Sequence, residues 1–129
     1  MQKLKKLAEI KTYKDLLIWQ KGILLAQHAY ILTKEFPMEE MYSLTSQIKR
    51  SAVSISSNIA EGYGRNSTKS YVNFLKIAQG SLYELETQLI LADKFNFISN
   101  KTFLKEVFTE IEEESKMLNS FIKKVDNIN

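Results

Sequence analysis

Cysteine is absent from the 129-residue chain, which excludes disulfides, thiolate metal sites, iron–sulfur clusters and a cysteine nucleophile together. Proline occurs once and glycine four times, too few turn-formers for a sandwich of many short strands, so helices are favoured. Histidine also occurs once, as His28. A di-iron site in a helical bundle draws on two Glu-x-x-His motifs; one His cannot supply them, and Leu25 stands three residues before it. No Ser or Thr is arranged with a His and a carboxylate as a triad requires. Gly62-Tyr63-Gly64 has neither the third glycine of a dinucleotide fingerprint nor the Gly-Lys-Ser/Thr ending of a phosphate loop, and reads as a helix stop in which Gly62 takes the left-handed position. Glu61 and Glu84, as a carboxylate pair without a His or a metal partner, read as structural. The expectation is a protein that is not an enzyme, with no catalytic residue, metal or cofactor.

Long apolar runs are missing too. The most apolar stretch, residues 23–32, is broken by Gln27 and His28 and falls short of the ~20 residues a spanning helix needs. Lys3, Lys5 and Lys6 are not followed by the apolar core of a signal peptide. A cytoplasmic protein, away from the membrane, is expected. With 44% hydrophobic and 26% charged residues the chain is too apolar to be disordered, and its length suits one domain.

Punctuation falls at Phe36-Pro37, at residues 62–67 and at residues 96–100. These three breaks divide the chain into four segments with helical apolar periodicity, predicting helices at about 14–36, 39–62, 67–95 and 100–126 and, before them, a basic, loosely ordered arm over residues 1–12. Pro37 ends the first segment; Glu39 and Glu40 open the second, where their charge suits the helix dipole; Ser67 caps the third. The core stripes are Ile18, Gly22, Leu25, Ala29, Leu32 and Phe36; Leu44, Ile48, Ala52, Ile55 and Ile59; Tyr71, Leu75, Ala78, Leu82, Leu85, Leu89 and Ala92; and Leu104, Phe108, Ile111, Leu118, Phe121, Ile122 and Val125. In the last, Glu114 and Ser115 stand where an apolar residue is expected. Short connections between long helices predict an all-α, antiparallel up-down-up-down four-helix bundle. Trp19, Ile23 and Tyr30 form a second apolar strip on the first helix, surplus to a monomer core, and are read as a subunit interface.

The net charge of +3 hides an uneven spread: residues 1–76 hold twelve basic and six acidic side chains, and residues 77–129 hold six basic and nine acidic. Lys49, Arg50, Arg65, Lys69 and Lys76 stand around the end of the second helix and the start of the third. Clustered cations of this kind suit a phosphate backbone, and Tyr63 and Tyr71 are available to stack on unpaired bases. The competing reading is a solvated face, with Arg50 tied to Glu61 or Glu84.

The run RSAVSISSNIAEGYGR from Arg50 to Arg65, followed by Phe74, Ala78, Gly80, Ser81 and Glu84 and preceded by Tyr13, Leu17 and Trp19, resembles the bacterial four-helix-bundle family that includes the proteins encoded by intervening sequences of 23S ribosomal RNA genes. That family is similar to the accessory protein of diversity-generating retroelements, a ring of five bundles that works with a reverse transcriptase and RNA. The resemblance implies a homopentamer, a non-enzymatic scaffold role, and RNA, DNA or a reverse transcriptase as partner through the five cations named above. It also suggests that Asn58, Glu61, Ser81 and Glu84, with Arg65, form a structural polar network between the second and third helices. The alternative is a protein–protein interaction module whose charges serve as intersubunit ion pairs.

Overall fold

A computed structural model describes residues 10–128. Among these residues there are four α-helices and no strand: α1 (Leu17–Thr33), α2 (Leu44–Tyr63), α3 (Thr68–Lys94) and α4 (Lys101–Asp126), with 3-10 turns at Tyr13–Asp15 and Met38–Glu40. Residues 1–9 of the expected basic arm lie outside the described residues. Of its remainder, Ile10 packs on the core and Thr12 closes a capping box with Asp15 over the first turn.

The helix ends follow from local chemistry. Ser67 Oγ accepts from the Ser70 amide at the start of α3, and Asn100 Oδ1 accepts from the Phe103 amide at the start of α4. Three boundaries differ from the sequence reading. The first helix ends at Thr33 rather than Phe36, and the chain reaches Pro37 through turns in which the Lys34 amide donates to Ile31 O and the Phe36 amide to Thr33 O. The N-terminal segment is not helical from residue 14, because Leu16 is extended and separates the 3-10 turn from α1. The second helix begins at Leu44 rather than Glu39; Glu40 sits in the turn before it, where its carboxylate accepts from Ser43 Oγ at 2.7 Å and from the Leu44 amide at 3.4 Å. The acid still serves the positive end of the helix, from outside it.

Gly62 also differs. No glycine has positive φ; among the described residues only Asn96 does, at φ 60° in the turn between α3 and α4. Gly62 is helical and buried, and a Cβ there would lie 2.8 Å from Phe74 Cβ and 3.0 Å from the Tyr71 ring. Its lack of a side chain lets α3 close on α2 rather than turning the chain.

Each helix packs against two others in the cycle α1–α2–α3–α4–α1, which puts α1 and α3 at opposite corners. Cross-helix contacts pair rising with falling residue numbers. Ser51 meets Gln88, and Ser54 meets Ser81; Tyr83 meets Ser115, and Asp93 meets Lys101; Lys21 meets Glu113, and His28 meets Glu110. The predicted stripes of α1, α2 and α3 are buried, apart from the half-buried Tyr71, and Leu104, Ile111, Leu118 and Val125 complete the core from α4 with Val107. No described helix is long and apolar enough to cross a membrane.

Candidate functional site

Three surfaces carry the residues singled out from the sequence: the α2–α3 end, the α2–α3 seam and the outer faces of α1 and α3. At the α2–α3 end, Arg65 follows the last turn of α2. Its Nη2 donates to Glu61 Oε2 at 2.5 Å, and its guanidinium lies over the Phe74 ring, 4.4 Å from the centroid. A planar cation suits both partners at once. Arg65 keeps 43% side-chain exposure, so its charge faces solvent while its position is set. Lys69 and Lys76 are exposed on α3, one above the other at a separation of about 10 Å.

The other two cations stand apart. Arg50 is exposed fifteen residues before Arg65, roughly 20 Å along α2, and within the chain it pairs with neither Glu61 nor Glu84. Lys49 beside it is half-buried, with Nζ 4.8 Å from the centre of the Tyr30 ring. The five cations of the sequence reading therefore do not form one group: Arg65 is held over Phe74, Lys69 and Lys76 share a line about 140 to 160° around α3 from Phe74, and Lys49 and Arg50 stand further down the bundle. Helical rise separates what the sequence places near one junction.

Tyr63 and Tyr71 do not stand free to meet bases. Their rings meet edge to face at 6.3 Å, and Tyr71 meets Phe121 in the same way at 5.9 Å. Burial, with a smaller contribution from Tyr63, holds the Tyr71 hydroxyl protonated far above its usual range.

The polar seam between α2 and α3 exists with a different membership. Ser51 Oγ donates to Gln88 Oε1 at 2.7 Å, Ser54 and Ser81 share a 2.8 Å hydrogen bond, and Asn58 Nδ2 donates to Ser54 O and Oγ. Ser51 and Ser81 are buried, so these bonds satisfy groups that would otherwise be costly. Glu61 turns away to Arg65, and Glu84 is exposed on the outer side of α3. Neither enters the seam: Glu61 is drawn to Arg65 at the end of α2, and Glu84 falls about 40 to 60° around α3 from Gln88 and Ser81, the residues facing across.

The outer face of α1 is apolar, and the three residues read as an interface differ in exposure. Trp19 is half-buried, its ring edge-on to Tyr13 at 5.4 Å, and packs against the core with it. Ile23 is likewise half-buried. Tyr30, with Lys49 over its ring, is bare at 43%, as are Leu17, Leu24 and Ile31 at 56%, 41% and 49%. On α3, Ile77 and Leu91 are bare at 51% and 40%.

One group the sequence marked only as out of place is the most unusual in the core. Glu114 is 0% exposed, and neither carboxylate oxygen has a hydrogen-bond partner. Burial pushes its pKa up to about 8, against a smaller opposing effect of Lys21. Along the same α1–α4 contact, Lys21 Nζ lies 3.8 Å from Glu113 Oε2, and His28 Nδ1 donates to Glu110 Oε1 at 2.7 Å. Among the described residues no group of three or more His, Cys, Asp or Glu side chains is placed to hold a metal ion.

Residues 14–120 match the family model described as 23S rRNA-intervening sequence protein. No curated protein matches the chain. Among solved structures, it is similar to a protein with unknown function from the S23 ribosomal protein family of Bacteroides thetaiotaomicron. The two share 25% identity over 83% of this chain and 99% of the other, with a TM-score of 0.73.

Proposed function

From the premise that this chain belongs to the 23S rRNA-intervening sequence protein family, we propose that it is a non-enzymatic scaffold: an antiparallel bundle that assembles head to tail into a ring of five. The ring presents the loop-end cations Arg65, Lys69 and Lys76 to RNA or to an enzyme that acts on nucleic acid. The observation that carries this reading is the bare apolar surface of α1 and α3, which lie at opposite corners of the bundle. Apolar stripes on opposed faces suit a heterologous contact, in which one face of a subunit meets the other face of the next.

A ring repeats each loop end several times. Three cations per copy are a weak phosphate site; several sets on one rigid body bind cooperatively to an extended polyanion through effective concentration. Arg65 contributes less than a free guanidinium would, since Glu61 already offsets its charge. That engagement, with Lys49 held on Tyr30, favours the second reading: a protein-interaction module whose cations order its own surface and contact no nucleic acid.

Two measurements test the proposal. Solution mass by light scattering tests the assembly, and a monomer at micromolar concentration would refute it. Titration with structured RNA at two salt concentrations tests the ligand. Binding should fall steeply with salt, and Lys69→Ala with Lys76→Ala should weaken it and reduce the salt slope by about one for each phosphate no longer neutralised. An oligomer without RNA affinity at low salt would leave the interaction-module reading.

A further inference from the structure

We infer that the RNA of the reading above lies along the outer flank where α3 meets α4, its phosphates held by Lys69, Lys76 and Lys123 and one unpaired base stacked on Tyr83. The inference rests on that reading and adds to it a lysine of α4 and an aromatic platform.

The register of the two helices assembles this flank. Tyr83 and Ser115 share a 3.2 Å hydrogen bond, and Gln79 Nε2 donates to Asn119 Oδ1. Along this contact each turn back on α3 meets a turn forward on α4. Lys76 and Lys123, three residues before Gln79 and four after Asn119, are therefore the next to face each other, on axes ~8 to 10 Å apart. Lys69, Lys76 and Tyr83 recur every seven residues and so stand nearly in line on α3, at steps of about 10 Å. All four side chains are exposed, and none of the three lysines is in an ion pair with a described residue. Two helices thus offer ammonium groups on both sides of one seam, which suits the successive charges of a phosphate backbone.

Tyr83 takes the part that Tyr63 and Tyr71 cannot, since those two rings are spent on each other. It is 46% exposed, and its hydroxyl is tethered to Ser115. A ring already held in place loses little freedom on binding, and an aromatic beside cations is what an unpaired base requires.

Charge sets the limits of the track. By the same register Asp126, in the last turn of α4, stands opposite Val72, between Lys69 and Lys76, and opposes them. Beyond Tyr83 the cations end: Lys116 is offset by Glu112 at 3.5 Å, and Glu86 follows on α3. Ile77 and Leu91, the bare apolar residues of α3, lie about 60 to 100° around the helix from the line of lysines, so the track and the apolar surface point different ways.

The test is a titration of the whole chain with a fluorescently labelled hairpin RNA that has an unpaired loop, read as anisotropy over a range of salt. Lys123→Ala should weaken binding several-fold and lower the salt slope by about one. Lys105→Ala removes the same charge from an exposed site of α4 ~27 Å away and should change neither. Tyr83→Leu should weaken binding about tenfold with the salt slope unchanged, since stacking neutralises no phosphate. Asp126→Asn should strengthen binding, a gain that misfolding cannot mimic, and circular dichroism checks that the weakened variants keep their helical content. If Lys123→Ala binds like Lys105→Ala while Lys69→Ala with Lys76→Ala weakens binding, the flank is wrong and the reading above stands. Unchanged affinity in Tyr83→Leu or in Asp126→Asn likewise overturns the placement. If the unaltered protein does not bind the hairpin at low salt, the reading above falls and the flank with it.

Discussion

Replacing Glu114 with Gln should remove most of the pH dependence of this protein's stability between about pH 5 and 8. The carboxyl is 0% exposed with both oxygens unpaired, so burial raises its folded-state pKa to about 8 from an ordinary value of 4.5. A raised carboxyl pKa means that the folded state holds a proton that the unfolded chain has already released. Stability is therefore greatest below the unfolded value and declines as pH rises, by roughly 1.4 kcal/mol for each pH unit. The decline ends near pH 8, where the folded carboxyl also ionises, and its total is on the order of 5 kcal/mol. Gln is nearly isosteric and cannot ionise, so Glu114→Gln keeps the seam neutral throughout. Urea unfolding of both proteins every half pH unit, at one fixed protein concentration because association shifts apparent stability, isolates the effect. The Lys21–Glu113 and His28–Glu110 pairs, which face the same α1–α4 contact, are present in both proteins and cancel in the difference. The variant should gain on the unaltered protein steadily with pH, by several kcal/mol in all. Parallel curves across the range would refute the reasoning, because they would mean that Glu114 ionises alike in the folded and unfolded chain.

Gly62→Ala should destabilise by about 1 to 3 kcal/mol in urea, since the added Cβ falls 2.8 Å from Phe74 Cβ and against the Tyr71 ring; an unchanged midpoint would show that α3 yields freely there. Ser54→Ala removes the hydroxyl that Asn58 and Ser81 share and should cost about 1 to 2 kcal/mol, with Ser57→Ala, on an exposed position of the same helix, as a near-neutral control. Asn96→Gly should stabilise by up to about 1 kcal/mol, read as a rise in thermal midpoint, because glycine adopts φ 60° without the Cβ conflict Asn accepts there; a fall would mean that the Asn side chain holds the turn.

Much of the core is legible in the sequence, and the reason is visible in α3: Leu75, Ala78, Leu82, Leu85, Leu89 and Ala92 recur at helical spacing and all are buried. The stripe needs no knowledge of what it packs against. Ser67 is legible in the same way, since a cap acts on amides two or three residues away. The functional surfaces are legible only in part. Trp19 and Tyr30 are surplus to the first stripe, as the periodicity indicates, yet Trp19 is taken up by Tyr13, while Tyr30 is bare together with Leu17, Leu24 and Ile31. Periodicity names a face; which flank of that face a neighbouring segment covers depends on where the segment lies.

The sequence by itself determined four amphipathic helices, their core stripes and the three breaks, because each depends on residues within a few turns of one another. Tertiary structure alone decided that Glu114 is buried without a partner, that Arg65 is held between Glu61 and Phe74, and that Arg50 stands far from it. It also decided that Ser54 rather than Glu84 meets Ser81. Hydrogen bonds, ring contacts and desolvation act over a few ångströms, and which groups come that close is set by the rotation and register of whole helices against one another.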